Sequence, residues 1–240
     1  MQWSRAKLTL LLGLIFLVNF VETKSEPELT HVYNDRPALT LQLAQSMHHL
    51  ENDLSFESQY SISRLSVYGY SFAYFIVFPL LGLAFCVFLA TRQRTFGYQL
   101  FCVAVAINYG LSLPFFLFYP VPERWTYPDS GAMLLSDLWS PRLIEAFRPI
   151  DGLDNCFPSF HVSLTVVIVA VAFCLRLRFR TVVCALGSAV ILSTFVLGIH
   201  WIGDMVAGAV LGCLSVALAM RLTGSSDHGG GPIRRLLAAA

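Results

Sequence analysis

The chain has 240 residues, 56% of them apolar and 13% charged, with a formal net charge of +1 and a mean hydropathy of +0.64. A charged fraction about half that of a soluble domain argues against a water-soluble globule. The near-neutral balance, without a basic patch interleaved with aromatic residues, gives no footprint for nucleic acid, and no nucleic-acid partner is expected.

The first apolar run, Leu8 to Val21, follows Arg5 and Lys7 and has 14 residues. It fits a short membrane span or the core of a signal peptide; with no Ala-x-Ala site after it, an uncleaved first helix is favoured. Residues 22–37 are polar and contain Pro27 and Pro37, which predicts an irregular surface stretch. From Ala38 to Leu54 the apolar residues Leu39, Leu43, Met47, Leu50 and Leu54 recur at helical spacing opposite Gln42, Gln45, His48, Glu51 and Asp53. That pattern predicts an amphipathic helix at the outer interface, with His48 and His49 as ordinary surface residues.

Five further apolar segments are candidate spans: Tyr68–Ala90, Tyr98–Pro120, His161–Leu177, Thr181–Ile199 and Asp204–Leu222. Asn108 and Pro114 are the only polar or helix-breaking hints inside the third span. Between the third and fourth spans, Val121 to Asn155 is too long for a turn. Its Trp125, Tyr127, Trp139 and Phe147 suit the headgroup layer, and the loop is expected to form part of a lid. The expected fold is an all-α polytopic bundle of six transmembrane helices. It comprises one integral-membrane domain over residues 1–222 and a polar, flexible tail over 223–240.

Charge sets the orientation. Arg92 and Arg94 follow the second span, Arg176, Arg178 and Arg180 follow the fourth, and neither turn carries an acid. Residues 22–67 hold seven acids and three bases, and residues 121–160 hold six acids and three bases. Basic loops face the cytoplasm, so both termini are expected inside and both large loops outside a cell membrane. His161 and His200 then fall on the same outer face.

Of the six cysteines, Cys86, Cys102, Cys174, Cys184 and Cys213 lie within spans, and Cys156 stands alone in an outer loop. Neither a disulfide framework nor metal-ligand spacing is evident, and no metal or cofactor is expected. Nothing in the pattern sets an oligomeric state.

Two fragments carry the chemistry, Phe157-Pro158-Ser159-Phe160-His161 and His200-Trp201-Ile202-Gly203-Asp204. A carboxylate four residues after a histidine lies one helical turn away and can hold its imidazole in one tautomer. A neutral imidazole held in this way can attack phosphorus, and a second, protonated imidazole can donate to the leaving oxygen. His200, Asp204 and His161 are the candidates. Pro158 and Ser159 read as the start of a helix, where unpaired N–H groups favour phosphate, and the Ser159 hydroxyl can add a donor. Guanidinium matches phosphoryl oxygens; the outer-loop choices are Arg124, Arg142 and Arg148, with Arg64 a fourth.

These fragments resemble the type 2 phosphatidic acid phosphatase superfamily, whose usual motifs are Lys-x6-Arg-Pro, Pro-Ser-Gly-His and Ser-Arg-x5-His-x3-Asp. The second appears here as Pro158-Ser159-Phe160-His161, and the third as Ser193-Thr194, five residues, then His200 and Asp204. Phe160 replaces the usual glycine and Thr194 the usual phosphate-binding arginine, a pattern similar to the inositolphosphotransferase-like branch. The first motif lacks its lysine. Tyr119-Pro120-Val121-Pro122-Glu123-Arg124 looks like that branch's arginine element, which favours Arg124, with Arg148-Pro149 second.

The resemblance implies that His200 is a nucleophile forming phosphohistidine, with Asp204 orienting it, His161 protonating the leaving group and Ser159 touching phosphate. It implies a metal-independent lipid phosphate or lipid diphosphate phosphatase. A lipid headgroup phosphotransferase uses the same residues with an alcohol in place of water. The alternative from another class is a non-catalytic membrane protein that binds or transports lipid.

Overall fold

The computed structural model describes residues 3–33, 37–51, 61–92, 95–127, 130–142, 145 and 156–224, with backbone alone for 25–33, 37–39 and 41. The described elements are helical: α1 (Arg5–Tyr33), α2 (Pro37–Glu51), α3 (Arg64–Arg92), α4 (Thr95–Phe118), α5 (Phe160–Cys174), α6 (Arg180–Val196) and α7 (Ile202–Gly224). Within α3, residues Ala73–Val77 form a π turn. The loop after α4 carries two 3₁₀ turns, Arg124–Thr126 and Leu135–Leu138.

Among the described residues, four helices are long and apolar enough to cross a membrane: Arg5–Lys24 of α1, α3, α4 and α7. The apolar helices α5 and α6 are shorter, at 15 and 17 residues. At 1.5 Å per residue they reach roughly 22 and 26 Å, short of a hydrocarbon core of about 30 Å. Apolar side chains stand outward along the bundle, among them Leu10, Leu83, Val206 and Val210, each more than half exposed. Helices apolar on all sides require an apolar surround.

Helix direction follows from short connections. α5 and α6 form a hairpin closed by Leu175–Phe179, where Arg176 takes a positive φ of 49°. The start of α5 therefore lies beside the end of α6, and only five residues separate the end of α6 from the start of α7. α7 packs on α5 and α4. Gly212 permits its close approach to α5: a Cβ there would lie 2.6 Å from the Ser163 carbonyl oxygen. Asn108, fully buried on α4, accepts from the Ser163 hydroxyl at 3.0 Å and donates to the Ser215 hydroxyl at 3.5 Å. It ties α4, α5 and α7 together, which gives this intramembrane amide a packing role.

The main apolar cluster joins α1, α3, α4, α5, α6 and α7 around Leu8, Phe85, Leu89, Phe101, Ile168, Val171 and Val216. A smaller cluster packs Met47 of α2, Val121, Tyr127, Cys156 and Trp201 together, so the described part of the long loop covers one end of the bundle.

Some expectations change. Residues 22–33 continue α1 as helix despite Pro27, whose interior position costs about 3 kcal/mol, with the good helix formers Glu22, Lys24, Glu26, Glu28 and Leu29 on either side of it. On α2, Met47 is buried and Gln42 and Gln45 are exposed as the amphipathic pattern expects, but Leu50 is 80% exposed and Glu51 is buried at 3%, the two exchanging places. Ala44, Met47 and Glu51 are the residues that α2 buries, because it docks on the start of α7 with one edge of its apolar stripe. Tyr127 and Trp139 turn inward, Tyr127 against Trp201 and Trp139 against Phe75. Phe147 lies outside the described residues. α7 runs to Gly224, two residues into the segment read as tail.

Candidate active site

The start of α5, the end of α6 and the start of α7 meet under the loop that follows α4. After α6 the chain reverses: Gly198 adopts a φ of +79°, and the N–H groups of Ile199 and His200 both donate to the Thr194 carbonyl, at 3.2 and 3.1 Å. Only glycine adopts that conformation without steric cost, and it is what closes the helix here. The loop is stitched to this reversal, with Arg124 N–H donating to the Ile199 carbonyl at 2.9 Å and Trp125 N–H to that of Gly198 at 3.0 Å.

His200 is 3% exposed. Its Nδ1 lies 3.3 Å from Asp204 Oδ2. The same carboxylate oxygen accepts the Trp201 N–H at 3.0 Å, so Asp204 also caps the helix that carries it. An ionised carboxylate only accepts, so a charged Asp204 favours the tautomer with the proton on Nδ1 and the lone pair on Nε2. Nε2 and Asp204 Oδ1 are buried and have no hydrogen-bond partner among the described residues.

His161 stands in the first turn of α5, its ring centroid 5.8 Å from that of His200. It is sandwiched by α3: the Tyr74 ring stacks on it at 4.4 Å, and Phe78 lies at 4.5 Å. Tyr74 Oη is 3.4 Å from His161 Nδ1. Tyr74 belongs to the π turn, a local widening frequent at functional sites.

Ser159 is fully buried and caps α5, its Oγ accepting the Val162 N–H at 3.3 Å. Its own N–H donates to the Asp204 carbonyl at 3.1 Å, which links the two motif fragments directly. The hydroxyl proton is not used by the cap, so Ser159 retains a donor.

Arg124 is 0% exposed, and its guanidinium lies 5.2 Å from the centroid of the Phe195 ring, the residue after Thr194. Burial pushes its pKa down to about 10, while the charges of Glu51 and Asp204 hold it up. It remains a cation at neutral pH. Arg64 and Arg142 are exposed, and Arg148 lies outside the described residues.

Two buried neighbours complete the cluster. Glu51 Oε1 accepts the Gly203 N–H at 3.1 Å, so a second carboxylate caps α7 from α2. Burial raises the Glu51 pKa above its ordinary 4.5, opposed by the Gly203 N–H and by Arg124. Cys156, 1% exposed, places Sγ 3.4 Å from His200 Nδ1. It is a free thiol, as its solitary place among the cysteines suggests, but a buried one beside His200. The ligand atoms of Cys156, His200 and Asp204 lie within 4.8 Å of one another, the one potential metal-ligand group among the described residues.

The PAP2 superfamily model matches residues 96–226, more than half of the chain. This chain belongs to the PAP2 superfamily. The matched PAP2 region contains Arg124, Ser159, His161, His200 and Asp204, while Glu51 and Tyr74 come from helices before it. No curated protein and no solved structure matches the chain significantly. PAP2 membership and the buried His200–Asp204–Cys156 cluster are together consistent with an enzymatic site of this general type.

Sequence reasoning missed Tyr74, Glu51 and Cys156. A tyrosine inside an apolar run was the one available signal for Tyr74. Glu51 fitted a polar helix face, and Cys156 precedes the Phe157–His161 fragment by a single residue.

Proposed function

We propose that this PAP2 protein is a lipid phosphate or lipid diphosphate phosphatase that works through a phosphohistidine on His200. The observation that carries this reading is the state of His200: Nδ1 is engaged by Asp204, and Nε2 is unpartnered among the described residues with His161 beside it. In the proposed first step Nε2 attacks phosphorus, and the positive charge developing on the ring is balanced by Asp204. His161, protonated, gives its proton to the departing lipid oxygen, and Tyr74 and Phe78 hold its ring in place. Water then attacks the phosphohistidine, with His161 as base.

Arg124 supplies the phosphate-binding charge in this reading. Its buried guanidinium lies over Phe195, the residue after Thr194, which stands where the superfamily usually has an arginine. Ser159 adds its hydroxyl. A charge-assisted hydrogen bond contributes roughly 1.5–3 kcal/mol, so one well-placed arginine offsets much of the loss of the usual basic pair. Arg148 remains a second candidate for this role.

We place the site at the outer face of a six-span bundle in the cell membrane, with both termini cytoplasmic. The acidic loops on the site's side and the basic turns at the other end support this orientation. A lipid then enters from the bilayer with its headgroup at His200.

Phe160 and Thr194 support a second reading, a headgroup phosphotransferase in which an alcohol replaces water at the second step. The test is phosphate release by purified protein from a panel of lipid phosphates and diphosphates, beside His200→Ala. Release that vanishes in the variant is expected. If folded protein releases none but forms a phosphodiester once an alcohol is added, the transferase reading replaces the phosphatase.

A further inference from the structure

We propose that Cys156, His200 and Asp204 form an inhibitory site for a thiophilic divalent cation of the Zn²⁺ class. The proposal rests on the reading of His200 as nucleophile only for its inhibitory consequence; the site itself is argued from donor geometry.

The three donors are a thiol, an imidazole nitrogen and a carboxylate, the set that zinc prefers. Metal–ligand bonds of about 2.0–2.3 Å at tetrahedral angles place neighbouring donor atoms roughly 3.3–3.6 Å apart. Here Sγ and Nδ1 are 3.4 Å apart, and Nδ1 and Oδ2 are 3.3 Å apart. Two of the three pairs already have the spacing of a tetrahedral site, and all three donor atoms lie within 4.8 Å, so the movement left is the closing of the thiol on the carboxylate.

The donors are also held from outside the cluster. Cys156 N–H donates to the Val121 carbonyl at 3.1 Å, His200 N–H to that of Thr194 at 3.1 Å, and Asp204 sits in the first turn of α7. Asp204 Oδ1, buried and without a hydrogen-bond partner among the described residues, is available as a further donor atom. A thiolate and a carboxylate together neutralise a divalent ion, so the occupied cluster has no net charge to desolvate.

Binding balances as follows. The cation takes the Nδ1 lone pair, the ring proton moves from Nδ1 to Nε2, and the Cys156 thiol proton leaves to solvent. A neutral imidazole bears one N–H, so Nε2 loses the lone pair that attack on phosphorus requires. The metal then blocks the nucleophile from behind, without occupying the phosphate position.

The experiment uses the purified full-length protein, with Co²⁺ as spectroscopic probe and Zn²⁺ as competitor. The expected result is a thiolate-to-cobalt charge-transfer band that Zn²⁺ displaces, absent in Cys156→Ser. In Asp204→Asn, cobalt binding should be at least about tenfold weaker, the scale on which even outer-shell changes act. Zinc should inhibit phosphate release reversibly, and Cys156→Ser should need at least about tenfold more, each protein scored against its own zinc-free rate. No band in the wild type, or the same band in Cys156→Ser, overturns the site. Equal zinc sensitivity in both proteins overturns the inhibition. A Cys156-dependent band without phosphate release from any lipid would keep the metal site and sink the phosphatase reading; release without such a band would do the reverse.

Discussion

Gly208 of α7 lies against the Ser159 backbone so closely that a Cβ on it would sit 2.5 Å from the Ser159 carbonyl oxygen. That contact sets the spacing between the helix that carries Asp204 and the turn that delivers His161. Alanine at a helix-interior glycine gains about 0.5–1 kcal/mol of propensity. Overpacking against backbone, which cannot rotate away, costs about 1–3 kcal/mol. The clash wins, so Gly208→Ala should lower the thermal midpoint and activity together. Gly82→Ala, with nothing within 4 Å of the new methyl group, should leave the midpoint unchanged or raise it.

Arg124→Lys should not substitute for the native residue. Lysine keeps the charge but loses the planar fork that pairs with two phosphoryl oxygens. We expect kcat/KM to fall by roughly 10- to 100-fold, the equivalent of one charge-assisted hydrogen bond. Steady-state phosphate release over a range of lipid concentrations measures this. A variant with native kcat/KM would move the phosphate-binding role to Arg148.

Tyr74→Phe retains the ring stacked on His161 and removes only the hydroxyl 3.4 Å from Nδ1. A hydrogen bond worth about 1–1.5 kcal/mol corresponds to roughly a tenfold fall in kcat, with KM little changed. A rise in KM with kcat unchanged would count against a role in positioning the acid.

Glu51 makes stability depend on pH in a defined direction. Burial raises its pKa in the folded chain, so near that value the folded state binds more protons than the unfolded one. Stability contributed by Glu51 is then greatest below its ordinary 4.5 and falls as pH rises from there through the raised folded value. Glu51→Gln keeps an oxygen for the Gly203 N–H and removes the titration. Thermal midpoints of the two proteins should agree most closely in acid, with the wild type losing ground as pH rises; parallel curves would refute the assignment.

The parts legible in the sequence depend on neighbours in the chain. Apolar runs long enough for a bilayer reveal most of the helices, and His200 and Asp204, four residues apart, must meet across one turn. Ser159 before an apolar run marks a helix start, and the structure places it at the cap of α5. Where reading failed, a distant partner had decided the matter. Glu51 is buried because it caps Gly203, 152 residues later, and that capping bond turns α2 partway from the face its leucine stripe suggested, so that Met47 stays buried while Leu50 is exposed. Cys156 reaches His200 from 44 residues away, and Tyr74 reaches His161 from 87.

The sequence by itself thus determined the apolar helices and the two histidine fragments, because helical period and burial length are local properties. Only the tertiary structure decided which groups surround those histidines. That depends on where the hairpin of α5 and α6 and the Gly208 contact bring helix ends together, and no spacing along the chain encodes those distances.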